Sequence, residues 1–298
     1  MSNLDLAIVI PSLNRHSVLL NSLIALRSLD LYIPIIVVDQ TPNDEGGINE
    51  QLKNYCDDHD IDYVHLNRPS VVAAMNIGLS KSRASHVLFL DDDIRPDSEL
   101  ILSHLDLINT YECTLVAGRV IQPWDNQDGI ADNSEDNFSF NGLKQCEAKF
   151  FMGGNFVVDR DFALSIGGFD ENFIGTAHNY EKEFSERTIA SGYKIIYNGA
   201  AAVHHLKEAE GGIRSYGQFL KTIKPHQSVS AYYYILRSKN ENRTIAILRR
   251  LRQRLVNRTQ LRQPWWVPLA AIGELRGLLW AIKLNHKGPK LITTSSYL

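Results

Sequence analysis

Three adjacent aspartates, Asp91, Asp92 and Asp93, directly follow the apolar segment 87–90. Carboxylates this close repel one another, which raises their pKa values unless a cation neutralises them. Oxygen ligands suit a hard divalent ion such as Mg²⁺ or Mn²⁺, which can bridge to phosphate oxygens. A helix N-cap before Ile94 is the alternative interpretation, but a cap needs one aspartate and three are present. The triplet therefore predicts a metal site for a phosphate-containing ligand.

Other polar residues lie where the first two predicted strands end. The first strand is followed by Pro11, Ser12, Asn14 and Arg15, and the second ends at Asp39. In open α/β sheets, ligands bind at the carboxyl ends of the strands. The glycine-rich fingerprint of dinucleotide-binding enzymes is missing after the first strand, so a glycine turn is not expected to hold phosphate there.

The elements that position these residues alternate between strands and helices. Strands are predicted at residues 6–11, 33–39, 63–66 and 86–90, which are apolar runs rich in β-branched residues. Such runs are typical of strands buried on both faces. Helices predicted at residues 17–29 and 72–80 complete a doubly wound, mostly parallel α/β sheet.

The second half of the chain alternates less regularly. Residues 122–142 are polar and predict a long surface loop. Strands are predicted at residues 146–151, 156–159, 194–197 and 201–205, and a helix at residues 180–191 that ends at a glycine. From about residue 211 the chain becomes basic and helical. We therefore divide it into a catalytic domain, residues 1–210, and a C-terminal segment, residues 211–298.

Six motifs occur in order between about residues 6 and 205. They are IVIPSLNR, VVDQ, NRPSVVAAMNIGLSKS, VLFLDDD, FMGGNFVVDRDFALSIGGFDENF and YEKEFSERTIASGYKI. Together they resemble the family 2 glycosyltransferases of GT-A fold. The resemblance implies a metal-dependent, inverting hexosyltransferase that uses Mn²⁺ or Mg²⁺ and a UDP, dTDP or GDP sugar. It also implies a saccharide or lipid-linked acceptor, in surface polysaccharide or glycolipid assembly.

The resemblance also implies roles for individual residues. Nucleotide-sugar binding would involve Pro11, Ser12, Asn14, Arg15, Asp39, Asn76, Asp91, Asp92, Gly153, Gly154 and Asn155. Within that set, Asp39 would accept a hydrogen bond from the base and Asp92 would approach the ribose. A strand-end turn residue is the alternative for Asp39, and a helix-surface amide is the alternative for Asn76. The metal ligands would come from Asp91, Asp93, His204 and His205. Consecutive strand residues point to opposite faces, so only one of the two histidines can serve.

Glycosyl transfer needs a general base that takes the proton of the acceptor hydroxyl. The family places this base in an acidic motif that opens a helix, and the matching residues are Tyr180, Glu181, Lys182 and Glu183. The resemblance therefore assigns the base to Glu181, although tyrosine replaces the usual first acid and glutamate replaces the usual aspartate. Glu183 is the second candidate. A helix-surface carboxylate paired with Arg187 or Lys182 is the alternative for either glutamate.

The charge of the chain is divided unequally. Residues 211–298 carry 16 Lys and Arg against two Glu, a net charge of +14, whereas the rest carries −17. Within that segment, Ile245, Leu248, Leu251 and Leu255 repeat at helical spacing among arginines. This pattern is typical of a helix on an anionic membrane surface. A helical subdomain packed on the sheet, with solvated arginines, is the alternative. No nucleic-acid partner is predicted, because no motif that recognises DNA or RNA accompanies the charge.

The location and two rival functions follow from what the motifs lack. No basic region followed by an apolar stretch opens the sequence, and Cys56, Cys113 and Cys146 form no disulfide or metal pattern. We therefore expect a cytoplasmic protein, peripheral at the inner face of a membrane.

A sugar-phosphate nucleotidyltransferase is one rival function, but it would need a glycine-rich basic loop after the first strand. A non-catalytic protein that binds sugar nucleotides is the other.

Overall fold

A computed structural model describes residues 5–29, 31–42, 49–111, 115–131, 133–135, 137–217, 220–239 and 242–293. Within these residues, nine strands form one sheet in the order β3-β2-β1-β4-β8-β6-β9-β5, and β7 pairs with β9. Cys56 is buried and Cys146 is half-buried, and both are free thiols. Cys113 lies outside the described residues.

The strands are β1 (Leu6–Ser12), β2 (Ile35–Asp39), β3 (Ile61–His65), β4 (His86–Leu90), β5 (Ile94–Pro96), β6 (Leu115–Ile121), β7 (Cys146–Ala148), β8 (Asn155–Asp159) and β9 (Ile195–His205). Strands β1 to β4 run parallel to one another, and β6 runs parallel to β9. Strand β8 lies antiparallel between β4 and β6, and β5 and β7 are antiparallel to β9. The predicted α/β class is confirmed.

The helices are α1 (His16–Arg27), α2 (Glu50–Asp58), α3 (Val71–Lys81), α4 (Leu100–Thr110), α5 (Arg160–Ser165), α6 (Tyr180–Ala190), α7 (Val229–Arg237), α8 (Arg243–Leu255), α9 (Arg258–Arg262) and α10 (Val267–Lys287). They cover both faces of the sheet with separate apolar cores. Helices α1, α2 and α4 pack on one face. Helices α3, α5, α6, α7 and α10 contribute to the core on the other face.

Strand β6 is buried along its whole length, yet the sequence analysis does not predict it. Gly118 and Arg119 interrupt its apolar run, and each has a tertiary reason. A Cβ on Gly118 would lie 2.2 Å from the side-chain amide of Asn155. The Arg119 guanidinium donates to Asn141 at 2.8 and 2.9 Å and to the carbonyl of Gln127 at 3.1 Å. These partners are distant in sequence, so local pattern cannot reveal the strand.

Strand β9 is continuous where the sequence predicts two strands. Its register with β6 shifts between Gly118 and Arg119, as in a β-bulge. The amide of Asn155 donates to the carbonyls of Arg119 and Ala201 at this point, at 3.0 and 2.9 Å. The interruption in the apolar pattern is therefore a bulge within one strand that ends at His205.

The C-terminal segment is helical, as predicted, and it packs on the sheet. Tyr232 and Tyr233 of α7 and Ala281 of α10 are fully buried in the core beneath the sheet. The amide of Ile292 donates to the carbonyl of Gly167 at 2.7 Å, which fastens the end of the described chain. Among the described helices, none is both long enough and apolar enough to cross a membrane.

Two arginines of α8 are not solvated, unlike what the packed alternative expected, whereas the predicted contact of this helix with a membrane stays a prediction. Arg250 and Arg254 point inward and each donates to Glu274 of α10 at 3.0 Å. Ile245 and Leu248, which the prediction placed on one apolar face, are 56% and 61% exposed. The buried Glu274 carboxylate explains why Arg250 and Arg254 point inward, because a buried charge must be neutralised by a partner.

Candidate active site

A cavity of about 480 Å³ opens at the edge of the sheet where the parallel strands end. Its lining includes Pro11, Gln40, Asp91, Asp93, Gln122 and His205, which follow or end β1, β2, β4, β6 and β9. Further lining residues are Trp124, Lys207, Arg214 and Tyr216. The cavity lies where open α/β sheets bind ligands.

Asp91, Asp93 and His205 converge in this cavity and form what we call the metal group. Each offers one ligand atom, and these atoms all lie within 4.8 Å of one another. Nε2 of His205 lies 3.1 Å from Oδ1 of Asp93, and its Nδ1 lies 3.0 Å from Oε1 of Gln122. The Gln122 oxygen can hold the imidazole with Nδ1 protonated, so that Nε2 faces the carboxylates. Two carboxylates and an imidazole can hold a divalent metal ion.

The electrostatics of this group favour a cation. Burial raises the pKa of Asp91, and the charge of Asp93 adds to this effect. Burial also opposes ionisation of Asp93, but the hydrogen bond and charge of His205, with the charge of Arg15, hold its pKa below the usual value. Burial and repulsion from Asp93 therefore both disfavour the charged form of Asp91, and a cation between the two carboxylates would stabilise it.

Asp92 points to a different set of partners. It is buried, and it accepts hydrogen bonds from the Ser12 hydroxyl at 2.7 Å and from Arg15 at 2.8 Å. Arg15 also lies 3.2 Å from Asp93 and donates to the carbonyl of Glu210 at 2.7 Å. Asp92 thus fixes the loop after β1 and also lines the cavity, so its contact with the ribose stays a prediction.

Asp39 is buried at the end of β2 and is fully hydrogen-bonded. Oδ1 accepts from the amide and hydroxyl of Thr41 at 2.9 and 2.6 Å. Oδ2 lies 2.7 Å from Nε2 of His16 and accepts from the Tyr63 hydroxyl. A carboxylate offers about four acceptor positions, and these contacts use them. The predicted bond to a base would therefore require displacement of one of these partners.

The loop after β1 is positioned by the same network. The amide of Asn14 donates to the Thr41 hydroxyl at 2.9 Å, and the backbone of Asn14 has a positive φ of 56°. Asparagine tolerates this left-handed conformation better than most residues. Asn14 therefore shapes the turn that follows β1.

Two glycines allow carboxylates to lie close to the backbone before β8. A Cβ on Gly154 would lie 2.5 Å from Oδ2 of Asp91. A Cβ on Gly153 would lie 2.0 Å from the Tyr180 hydroxyl and 3.5 Å from Oε1 of Glu181. The negative charge of Asp91 also raises the pKa of Glu181, which indicates that the two carboxylates lie in the same region of the site.

Glu181 has the properties of a general base. Burial raises its pKa to about 7, and repulsion from Asp91 contributes to this shift. A carboxylate with such a pKa binds a proton strongly near neutral pH, which suits a base in catalysis. The replacement of the usual aspartate by glutamate therefore leaves a carboxylate next to the metal group.

Glu183 is engaged in a structural ion pair. Its two oxygens accept from the guanidinium of Arg187 at 2.8 and 2.9 Å, one turn along α6. Arg187 also donates to the carbonyls of Ile166 and Gly168, each at 2.8 Å. Glu183 thus anchors α6 to the preceding turn, which leaves Glu181 as the candidate base.

Asn76 and Asn155 lie in the interior, away from the cavity lining. The Asn76 amide donates to the carbonyl of Phe169 and accepts from its N–H, each at 2.8 Å. The side-chain N–H groups of Asn155 donate to the two backbone carbonyls at the bulge. Its Oδ1 lies 2.8 Å from Nε2 of His104, from which it accepts a hydrogen bond. Both side chains join distant segments, and their predicted contacts with the nucleotide sugar are not supported by this placement.

His204 points away from the metal group. Its Nε2 lies 3.0 Å from Oδ1 of Asp97, just beyond the end of β5. Strand alternation directs its neighbour His205 toward Asp93 instead. The structure therefore places one of the two predicted histidine ligands, His205, with the carboxylates.

Several cavity residues are absent from the sequence prediction. The ammonium of Lys207 lies 3.5 Å from the centroid of the Trp124 ring, and both residues line the cavity with Arg214. The segment that carries Lys207 and Arg214 is held across the cavity by a hydrogen bond from the amide of Gly212 to the carbonyl of Leu13 at 2.8 Å. No motif marks these residues, although Lys207 follows His205 by two positions.

The sequence profile described as Glycosyl transferase family 2 matches residues 7–167, which is more than half of the chain. No curated protein gives a match. The structure is similar to that of mannosyltransferase PcManGT from Pyrobaculum calidifontis in complex with GDP-Man and Mn²⁺, with a TM-score of 0.56 and 15% identity over 95% of this chain and 79% of that one.

A second similar structure is that of GalNAc-T7 with UDP, GalNAc and Mn²⁺. Its TM-score is 0.54 and its identity is 16%, over 83% of this chain and 53% of that one. The chain thus spans about half the length of that protein. At these identities the likeness concerns the fold, and it confirms the predicted GT-A architecture.

Proposed function

The chain belongs to glycosyl transferase family 2, and on that premise we propose that it is a metal-dependent, inverting glycosyltransferase. It moves a sugar from a nucleotide diphosphate to an acceptor hydroxyl. The observation that carries this proposal is the convergence of Asp91, Asp93 and His205 in the cavity, with ligand atoms within 4.8 Å. The position of Glu181 beside this group supports catalysis over simple binding of a sugar nucleotide.

The donor diphosphate binds among positive charges. Asp91, Asp93 and His205 would hold a divalent cation, which would supply positive charge to neutralise the leaving diphosphate. Lys207 and Arg214 line the same cavity and can donate charge-assisted hydrogen bonds to phosphate oxygens. Their side chains would help to hold the diphosphate next to the metal group.

Glu181 takes the proton of the acceptor hydroxyl as the acceptor oxygen bonds to the anomeric carbon. On the opposite face of that carbon, the bond to the diphosphate oxygen breaks. The diphosphate leaves with the electron pair of that bond. A single displacement of this kind inverts the anomeric configuration, and the proton ends on Glu181.

We also propose that the two parts of the chain have different roles. Residues 1–210 hold the metal group and the base, while residues 211–298 face an anionic membrane surface that presents a lipid-linked acceptor. The net charge of +14 in residues 211–298 supports this second role. Arg214 and Tyr216 also line the cavity, so the C-terminal segment contributes to the site. The corresponding location is cytoplasmic and peripheral at the membrane, in surface polysaccharide or glycolipid assembly.

Release of nucleoside diphosphate tests the proposed activity. The protein is incubated with UDP, GDP and dTDP sugars in Mn²⁺ or in EDTA. We expect one nucleotide class to be consumed in Mn²⁺ alone. Pyrophosphate formed from a nucleoside triphosphate and a sugar phosphate would identify a nucleotidyltransferase instead. Nucleotide binding without turnover, in the presence of a broad acceptor mixture, would identify a non-catalytic protein.

The two adjacent histidines provide a matched pair of variants. His205→Ala is expected to weaken Mn²⁺ binding by about 100-fold or more, since it removes a ligand and its oriented ring. His204→Ala is expected to leave Mn²⁺ affinity within about twofold, because its ring contacts Asp97. Calorimetric titration with Mn²⁺ in the presence of nucleoside diphosphate measures both. Equal losses in the two variants would contradict the assignment of His205 as the sole histidine ligand.

The pKa of Glu181 predicts the pH dependence of turnover. Its folded-state pKa is raised to about 7, first by burial and then by Asp91. A base acts when deprotonated, so kcat should rise about tenfold per pH unit below this pKa and level off above it. Cation binding at Asp91 removes part of the repulsion, which places the rise at or slightly below pH 7. A rate that falls between pH 6 and 8 would exclude Glu181 as the base.

A further inference from the structure

Helix α10 exposes an apolar stripe along its outer face. Ile272, Leu275, Leu279 and Ile282 are 46%, 56%, 52% and 48% exposed. Their spacing of three or four residues places them on one side of the helix. The opposite side is buried and carries Ala270, Gly273, Gly277 and Ala281. The stripe extends for roughly 15 Å along the helix axis.

Basic side chains form one edge of this stripe. Arg276, Lys283 and Lys287 are exposed and recur at positions seven and four residues apart, about a quarter turn from the apolar residues. The single acid of α10, Glu274, is buried and is neutralised by Arg250 and Arg254. The outer face of α10 therefore presents aliphatic side chains and positive charge without a carboxylate.

Two further exposed apolar residues precede α10 in the chain. Trp265, just before the helix, is 64% exposed, and Leu261 of α9 is 70% exposed. Tryptophan is enriched at membrane–water interfaces, where its ring is apolar and its N–H remains hydrated. An exposed combination of aliphatic, indole and basic side chains is typical of a helix that lies in the plane of a lipid surface.

We propose that the outer face of α10 binds the surface of an anionic lipid bilayer. The stripe from Ile272 to Ile282 enters the boundary between headgroups and acyl chains, and the basic edge contacts lipid phosphates. This inference deepens the proposed function, on which it rests for the lipid-linked acceptor. It also names α10 as a helix of the C-terminal segment that contacts the membrane, beside the contact that the sequence predicts for α8.

Charge distinguishes this partner from the other candidates. A second copy of the chain docked on the same face would bring two basic edges together, and like charges across an interface oppose association. An anionic bilayer neutralises the same edge, with a favourable contribution from each basic residue near the surface. Nucleic acid would pair with the basic residues but would leave the aliphatic stripe without an apolar partner. The observations therefore favour lipid.

Vesicle cosedimentation of the full chain tests the proposal. We expect at least about tenfold tighter binding to phosphatidylcholine vesicles that contain phosphatidylglycerol than to phosphatidylcholine alone. Leu275→Ser/Leu279→Ser should weaken binding to the anionic vesicles by about tenfold or more, because two apolar side chains lose their transfer into lipid. Arg276→Gln/Lys283→Gln should weaken it by roughly tenfold at low salt and less at high salt.

A matched control comes from the opposite face of the sheet. Ile24→Ser/Leu102→Ser removes two aliphatic side chains, each 48% exposed, from α1 and α4. Since these helices pack on the other core, we expect vesicle binding to stay within about twofold of wild type. A loss equal to that of Leu275→Ser/Leu279→Ser would assign the effect to general surface hydrophobicity and overturn the proposal.

Two further readouts separate this inference from the proposed enzyme activity. The α10 variants should keep the wild-type thermal shift with nucleoside diphosphate and Mn²⁺, because none of the substituted residues lines the cavity. A wild type that ignores anionic vesicles would overturn the membrane proposal even if it consumes a donor sugar. A dimer that Leu275→Ser/Leu279→Ser dissociates, without vesicle binding, would also overturn it and identify α10 as a self-association surface.

Discussion

Glu181→Gln is expected to lower kcat for donor turnover by about 10²–10⁴-fold, the range that a general base contributes. Glutamine keeps the size of the side chain and its ability to accept a hydrogen bond, but it cannot take the acceptor proton. The substitution leaves Asp91, Asp93 and His205 in place, so KM for the nucleotide sugar should change little. Steady-state release of nucleoside diphosphate measures both parameters.

Glu183→Gln is the control, because it makes the same chemical change two residues along α6. It removes the charge from the ion pair with Arg187, whose side chain is partly buried. We expect a melting temperature lower by about 2–6 °C, with kcat within a few-fold of wild type. A large loss of kcat in Glu183→Gln, with Glu181→Gln active, would show that the base has been assigned to the wrong glutamate.

Asp93→Asn is expected to abolish the Mn²⁺-dependent binding of nucleoside diphosphate, with an affinity loss of about 100-fold or more. The amide removes the charge that faces His205 and weakens the acidic pair that would hold the cation. Asp92 still pairs with Arg15 in this variant, so the loop after β1 should keep its anchor. Thermal shifts with UDP, GDP and dTDP, with and without Mn²⁺, measure the loss, because a bound ligand stabilises the folded protein.

Asp97→Asn is the matched control for this loss. Asp97 pairs with His204 and is absent from the metal group. It should retain the full Mn²⁺-dependent thermal shift. If Asp93→Asn kept a wild-type shift, or if both variants lost it equally, the metal group would have to be placed elsewhere.

Sequence pattern predicts the first half of the sheet well because β1, β2 and β4 are apolar runs that are almost entirely buried. Strands β1 to β4 and helices α1 and α3 are found within a few residues of their predicted bounds. Strand β6 is not predicted, because Gly118 and Arg119 interrupt its apolar pattern. Their places in the strand depend on contacts with Asn155 and Asn141. The pattern that marks a strand is local, whereas these partners come from other parts of the chain.

The site was predicted in part for a related reason. Sequence motifs identify polar residues near the ends of strands, but tertiary partners decide which of them stay available to a ligand. Glu181 and Glu183 are both glutamates in the first turn of α6, yet Arg187 forms its ion pair with Glu183. Asn76 and Asn155 match family motifs and bond to backbone segments elsewhere in the chain.

The C-terminal helices show the same limit on a larger scale. The alternation of Leu and Arg in α8 predicts an apolar face and a basic face at a membrane. In the structure, the buried Glu274 of α10 draws Arg250 and Arg254 inward, while Ile245 and Leu248 stay exposed. Helical periodicity therefore predicted the helix, while the choice of its buried face depended on one carboxylate in another helix.

Anomalous diffraction from crystals grown with Mn²⁺ and the nucleoside diphosphate that gives the largest thermal shift tests the central claim most directly. We expect one manganese peak within coordination distance of Asp91, Asp93 and His205, with phosphate oxygens on its open side. A peak that lies away from these three side chains, or a diphosphate bound in the cavity without manganese beside it, would contradict the proposed site.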